Sequence, residues 1–169
     1  MVVVNNINLD SLNKSKTKAR ENGDHLELSK EVEAVFHFDG SPMVTSRVST
    51  PASSFTINVD EPEVLGGRGV QPTPLTYMLV GLSSCFASTI AVIAAEKGVT
   101  LNKLVVKAKM LYDLGPVVTE VKNPIIKNIT LEVAADREIT QIIRESEAVC
   151  PALYAIRNPI DVKVKQVNL

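Results

Sequence analysis

Residues 75 to 97, "LTYMLVGLSSCFASTIAVIAAEK", limit what this chain can become more than any other stretch. Thr73 and Pro74 before it make a good N-cap and first helical position, and Gly98 after it is a good stop. The stretch predicts one helix of about 23 residues, roughly 35 Å long at 1.5 Å per residue. A helix that is apolar on nearly all sides is either a buried central helix or a membrane span. Five hydroxyl residues lie within it (Thr76, Ser83, Ser84, Ser88 and Thr89), it stands alone, and strand-like segments flank both ends. The buried helix is therefore expected, and no membrane partner.

Around it the hydrophobic period is two. Residues 32–38 ("VEAVFHF"), 43–49 ("MVTSRVS") and 55–60 ("FTINVD") read as three strands, the first two joined by "DGSP". In the third, Phe55, Ile57 and Val59 share one face, and Thr56, Asn58 and Asp60 the other. The glycine-rich run "EPEVLGGRGVQPTP" (61–74) lacks the lysine and the preceding buried strand of a phosphate cradle, so it reads as a turn device. Beyond the helix, 104–112 and 127–133 are strand-like around a turn at Gly115 and Pro116. Residues 137–149 put Ile139, Ile142, Ile143 and Val149 on one helical face, with Asp136 as N-cap. Pro151 breaks that helix, and 160–167 ("IDVKVKQV") alternates as a last strand. This order is α+β, with mostly antiparallel sheets packed on the long central helix.

A chain of 169 residues can bury about 70% of its unfolded surface. Residues 32–169 form the main domain, and 1–31 an N-terminal extension whose weak helix (10–22) has only Leu9, Leu12 and Ala19 as its apolar face. A net charge of −1 and the lack of a long basic run argue against nucleic acid or a membrane surface as partner. "MVVVNNINLD" has no positive n-region, so it does not read as a secretory signal and a cytoplasmic location is expected. Thiols are kept reduced there, and a disulfide is more often transient than structural. His25, His37, Cys85 and Cys150 lack the short paired spacings of zinc sites, so no metal is expected.

The chemistry centres on two cysteines. Cys85 sits in "GLSSCFAST", near mid-helix, and Cys150 sits in "EAVCPAL". Residue type alone favours two inert core thiols. Placement favours reactivity. Cys150 directly precedes a proline that can start a helix, and free backbone N–H groups there would lower its pKa. Cys85 is far from either helix end and would need a cation delivered by the fold or by a second subunit. Local reasoning alone thus makes Cys150 the more acidic thiol.

"NVDEPEVLGGRGVQPTPLTYMLVGLSSCFASTIAVIAAEKGVTLNKLVVKAKM", followed by "AVCPALYAIRNPIDVKV", resembles the OsmC/Ohr family of osmotically inducible and organic hydroperoxide resistance proteins. The resemblance runs from about residue 32 to 167 and is carried by the Gly-Gly loop, the Pro-led helix with a mid-helix Cys-Phe, and the later Cys-Pro step. It implies an intertwined homodimer with two active sites at the subunit interface, and a thiol-dependent peroxidase acting on organic hydroperoxides. It also implies that Cys85 becomes a sulfenic acid which Cys150 resolves as a disulfide. An external dithiol of lipoyl type would then reduce that bridge, with no bound cofactor.

The family holds its thiolate with an arginine from the N-terminal strands, for which Arg47 is the match, and holds the arginine with a glutamate near the start of the long helix. This chain departs from the pattern, with Leu75 and Thr76 at the glutamate's place and Glu61 and Glu63 only in the adjoining loop. The apolar residues around Cys85 (Leu82, Phe86 and Ile90) suit a greasy peroxide. The alternative is a non-catalytic dimer of the same scaffold that binds a small molecule or serves in stress.

Overall fold

Thr73 caps the long helix as its position predicts. Its Oγ1 accepts the Thr76 N–H at 3.3 Å and lies 3.0 Å from the Thr76 hydroxyl. At the other end Gly98 takes a left-handed φ of 69°, and the Gly98 and Val99 N–H groups close the last turn on the Ala95 and Ala94 carbonyls at 3.1 and 2.8 Å. The computed structural model describes residues 1–168. In chain order its elements are β1 (Val3–Val4), β2 (Ile7–Asn8), α1 (Leu9–Glu21), β3 (Glu33–Phe36), β4 (Val44–Ser49), β5 (Ser54–Val59), α2 (Pro74–Glu96), β6 (Leu104–Tyr112), α3 (Gly115–Val118), β7 (Ile126–Ala135), α4 (Thr140–Val149) and α5 (Pro151–Arg157). The class is α+β with antiparallel sheets.

The elements fall into two compact units, with α2 and the β6–β7 pair each running through both. One unit holds Ser11–Val80 and Ala108–Thr130. Its antiparallel sheet has the order β3-β4-β5, with Phe36 opposite Val44, Val44 opposite Val59, and Arg47 between Glu33 and Thr56. Tyr77, in the first turn of α2, donates its hydroxyl to the Asn58 carbonyl at 2.8 Å and so ties the helix start to β5. Asp113 accepts the Gly115 N–H and pairs with Lys127 at 3.2 Å. These donors hold its carboxyl below the ordinary range and shape the turn into α3.

The glycine run after β5 is a turn device, as its sequence predicts. The Asp60 N–H reaches the Pro72 carbonyl at 3.3 Å and closes the neck of the loop. Gly66 and Gly69 adopt φ of 80° and 63°, which only glycine takes without strain. At Gly67 a Cβ would overlap the Glu61 carbonyl, so the close approach itself demands glycine. The alternation expected across β5 fails at its end. Phe55 is 56% exposed whereas Asp60 is 1% exposed, because the returning loop closes on the residue just past the strand.

The other unit holds Met1–Asp10, Gly81–Lys107 and Leu131–Leu169. Its core is a stripe at every fourth position of α2, formed by Leu82, Phe86, Ile90 and Ala94, joined by Ala95 and by Ile139, Ile142 and Leu153. The rest of the helix is not fully covered within the chain. Met78 and Val80 stand exposed at its start. An unpredicted hairpin opens the chain. Asn5 and Asn6 take φ of 53° and 62°, the left-handed pair of a two-residue turn between β1 and β2. The Asn5 side chain then donates to the Val99 carbonyl and accepts the Leu101 N–H, both at 2.8 Å, which fixes the exit from α2.

Three further expectations are corrected. Asp136 does not cap α4, whose N-cap position is Ile139 without a side-chain bond. Asp136 instead accepts the Asn102 backbone and side-chain N–H groups at 3.2 and 3.0 Å, while Glu138 takes the Thr140 N–H at 2.8 Å. Val149 is 62% exposed, and Ser146 holds its place on the buried face by donating its hydroxyl to the Ile142 carbonyl at 2.7 Å. Residues 160–167 form no strand, because no other described strand is paired with them, and Ile160, Val162, Val164 and Val167 are exposed.

Lys97, just past α2, pairs with Glu145 of α4 at 3.1 Å, and Gln141 donates to the same carboxylate oxygen at 3.1 Å. Both donors hold the Glu145 carboxyl below its ordinary value of 4.5, Lys97 first. A carboxyl depressed by folding contributes stability that is complete above the unfolded value and is lost as pH falls through the folded one. Denaturant titrations of wild type and Glu145→Gln should therefore show a less stable variant at pH 7. The gap should close as pH falls below about 4.5, with wild type losing stability toward the variant.

Candidate thiol site

Both cysteines lie in the unit built on Gly81–Lys107 and Leu131–Leu169, and the fold brings their sulfurs to 3.7 Å. Cys85 reaches that point from α2. It lies beside Leu82 and Phe86 of the buried stripe and is itself half-buried. Thr89, one turn on, donates its hydroxyl to the Cys85 carbonyl at 2.9 Å. The exposed residues of the hydroxyl cluster, Ser84 and Ser88, lie on another part of the helix surface.

Cys150 is delivered differently. It ends α4, with its N–H on the Ser146 carbonyl at 3.0 Å, and begins α5, with its own carbonyl accepting the Tyr154 N–H at 2.9 Å. Its extended backbone (φ −71°, ψ 118°) is the conformation that a following proline favours, and Pro151 starts the next helix. The junction is thus a fixed corner with Cys150 at its apex, 1% exposed. The Cys150 side chain makes no cap bond to the α5 amides. Its sulfur turns to Cys85, so the helix-start argument for an acidic Cys150 finds no hydrogen bond to carry it.

The two thiols are unbridged and in van der Waals contact. A disulfide bond is ~2.05 Å long, so the sulfurs need close by only roughly 1.7 Å to bond. Such motion is within the range of side-chain rotation at a helix junction. Chemically, an oxidised sulfur at either position has the other thiol within side-chain reach.

Arg47 belongs to the other unit, exposed in the middle strand of the three-stranded sheet opposite Glu33 and Thr56. An opposite-charge cross-strand neighbour is a favourable placement for it there. Leu75 and Thr76 sit in the first turn of α2, with the Thr76 hydroxyl engaged by Thr73. Sequence reasoning missed Asp60 as a buried group and Ser146 as the residue that packs the corner before Cys150. The first was hidden by the strand alternation, the second by the assumption that the apolar face of α4 is all isoleucine and valine.

Comparison with known proteins places this geometry. The model of the OsmC-like protein family matches residues 66–165, more than half of the chain. No curated protein matches. Among solved structures the chain is similar to an OsmC-like protein from Mycoplasma pneumoniae at 23% identity and a TM-score of 0.60, covering 78% of this chain and 89% of that one. It is also similar to an organic hydroperoxide resistance protein from Legionella pneumophila at 20% identity and a TM-score of 0.59, covering 81% and 96%. A third, an organic hydroperoxide resistance protein from Elizabethkingia anophelis, has 19% identity and a TM-score of 0.57 over 82% and 96%. At these identities the structural likeness speaks for the fold alone. Gly-Gly loop, Pro-led helix and Cys-Pro corner all fall inside the matched residues, and the chain belongs to the OsmC-like protein family.

Proposed function

We propose that the protein is a thiol-dependent peroxidase that reduces organic hydroperoxides, working as a soluble homodimer in the cytoplasm. The Cys85 thiolate attacks the outer peroxide oxygen. The O–O bond breaks, the alcohol leaves with a proton, and Cys85 becomes a sulfenic acid. The Cys150 sulfur then attacks the sulfenic sulfur, water leaves, and a Cys85–Cys150 disulfide remains. An external dithiol of lipoyl type then gives two electrons and two protons to that bridge, becoming a disulfide itself and returning both thiols. None of the three steps needs a bound cofactor.

The observation that carries this reading is the 3.7 Å contact between the sulfurs, which makes the second step a short intramolecular move. Half-burial of Cys85 against Leu82 and Phe86 supports an apolar peroxide. The hydroperoxide resistance proteins from Legionella and Elizabethkingia point the same way. In an assay of peroxide consumption with dihydrolipoamide as reductant, Cys85→Ser should lose activity by at least about 10³-fold. Cys150→Ser should keep one fast turnover and then stall as sulfenic or over-oxidised Cys85. Loss of that first turnover in Cys150→Ser would reverse the two roles. A wild type that consumes no organic hydroperoxide would leave the non-catalytic alternative.

A buried thiolate is costly unless a cation is held against it, and we assign Arg47 to that place. With Leu75 and Thr76 where relatives carry a glutamate, the arginine is held less firmly, and Cys85 should ionise at higher pH than it would with the carboxylate restored. Thr76→Glu adds a carboxylate three residues after the Thr73 cap, a spacing that also favours the helix start. It should move the pH profile of Cys85 alkylation downward, and Arg47→Ala should cancel the shift. Profiles unchanged by Arg47→Ala would make Arg47 a strand residue paired with Glu33 and nothing more.

Surplus apolar surface supports the dimer. Met78 and Val80 on α2, and the alternating Ile160, Val162 and Val164, are exposed in a single chain. A second copy would cover both, at the above roughly 2,000 Å² typical of obligate pairs. Sedimentation at micromolar concentration should give twice the 18.3 kDa chain mass, and a folded species at 18.3 kDa would contradict it.

A further inference from the structure

Asp60 is 1% exposed, and one of its carboxylate oxygens has no hydrogen-bond partner among the described residues. Its Oδ1 accepts the Glu61 N–H at 3.0 Å, and its Oδ2 is the unsatisfied atom. A buried carboxylate oxygen with no donor is expensive, so a fold keeps one only where a donor comes to it. The hydrogen bonds of Asp60 run to the two ends of one loop. Its own N–H closes the neck on Pro72, and the next residue, Glu61, accepts the Gly69 N–H at 3.1 Å and lies against Gly67.

Between those two glycines stands Arg68, the sole cationic residue from 61 to 72, with its side chain exposed. Its neighbours on both sides touch Glu61, the residue after Asp60, so its backbone is anchored one residue from the carboxylate's own. Gly66 and Gly69, both at left-handed φ, flank it and give the segment backbone freedom that no other residue would allow. Arg47 is a poorer donor. Its cross-strand partner is Thr56, four residues before Asp60, or roughly 13 Å along a strand at ~3.3 Å per residue.

We infer that Asp60 is the seat of Arg68: the guanidinium turns inward onto Oδ2 and latches the 61–72 loop shut at its neck. The latch holds the segment that leads directly into the Thr73 cap, and so the first turn of α2. It is independent of any chemistry at Cys85. Arginine suits the role better than lysine would, because its planar fork can reach both the free oxygen and a loop carbonyl.

Trypsin reads the latch directly, since it cuts after Arg68 only when that side chain is turned outward. With cleavage after Arg47 in the sheet as an internal reference for global opening, the ratio of Arg68 to Arg47 cutting should rise about tenfold in Asp60→Asn. An unchanged ratio overturns the latch. A second readout covers the case in which Asp60→Asn does not fold. Arg68→Ala, a change at an exposed loop position, should lower the urea midpoint of the otherwise native chain. Where Asp60→Asn does fold, Arg68→Ala should add no further loss to it. A midpoint unmoved by Arg68→Ala, or equal losses with and without Asp60, shows that the two residues do not meet.

Discussion

Two sulfurs 65 positions apart can meet only if one is held still and the other is carried to it round a corner. The buried stripe of α2 does the first. Leu82, Phe86, Ile90 and Ala94 lock the rotation of the helix about its axis, and with it the direction of Cys85. Pro151 does the second. By excluding a helical conformation at Cys150 it ends α4 and starts α5 at one residue, so the thiol sits at the apex of the turn rather than along a helix side. Ser146 completes the corner from below. Its fully buried hydroxyl is satisfied by the Ile142 carbonyl, which lets a polar residue pack where a larger apolar one would push the junction outward.

What the sequence made legible was mostly local. Thr73, Pro74 and Gly98 bounded α2 to within one residue, because caps act through the nearest turn. Strand positions near Val44 and Leu104 followed from the two-residue period. The failures are long-range. Asp136 has the composition of an N-cap, but Asn102, 34 positions away, offers it two donors and wins. Asp60 alternates like a polar-face residue, yet the loop that covers it is fixed by Pro72 and the glycines. The Asn5–Asn6 turn does carry a local signal, since asparagine tolerates the left-handed region that a two-residue hairpin turn needs. The sulfur pair itself was expected from family resemblance, while residue type alone pointed to inert core thiols.

The alternating segment at 160–167 shows why a periodic pattern is evidence of a face and not of a partner. Valines at every second position mark a side that favours burial, but a strand also needs hydrogen-bonding neighbours, and none of the described strands pairs with it. The same distinction applies to α2, whose sequence is apolar all round and whose burial is one-sided. Both leave apolar surface uncovered in a single chain. The proposed homodimer rests on that surplus.

The account stands on the claim that Cys85 and Cys150 are poised to bond to each other within one chain. A non-reducing peptide map, taken after one equivalent of an organic hydroperoxide across a wide range of protein concentration, tests this most directly. The account predicts one bridged peptide pair, Cys85 with Cys150, formed at a rate that does not change with protein concentration and without cross-linked chains. A bridge between identical cysteines, a rate that rises with concentration, or two cysteines that oxidise separately would contradict it.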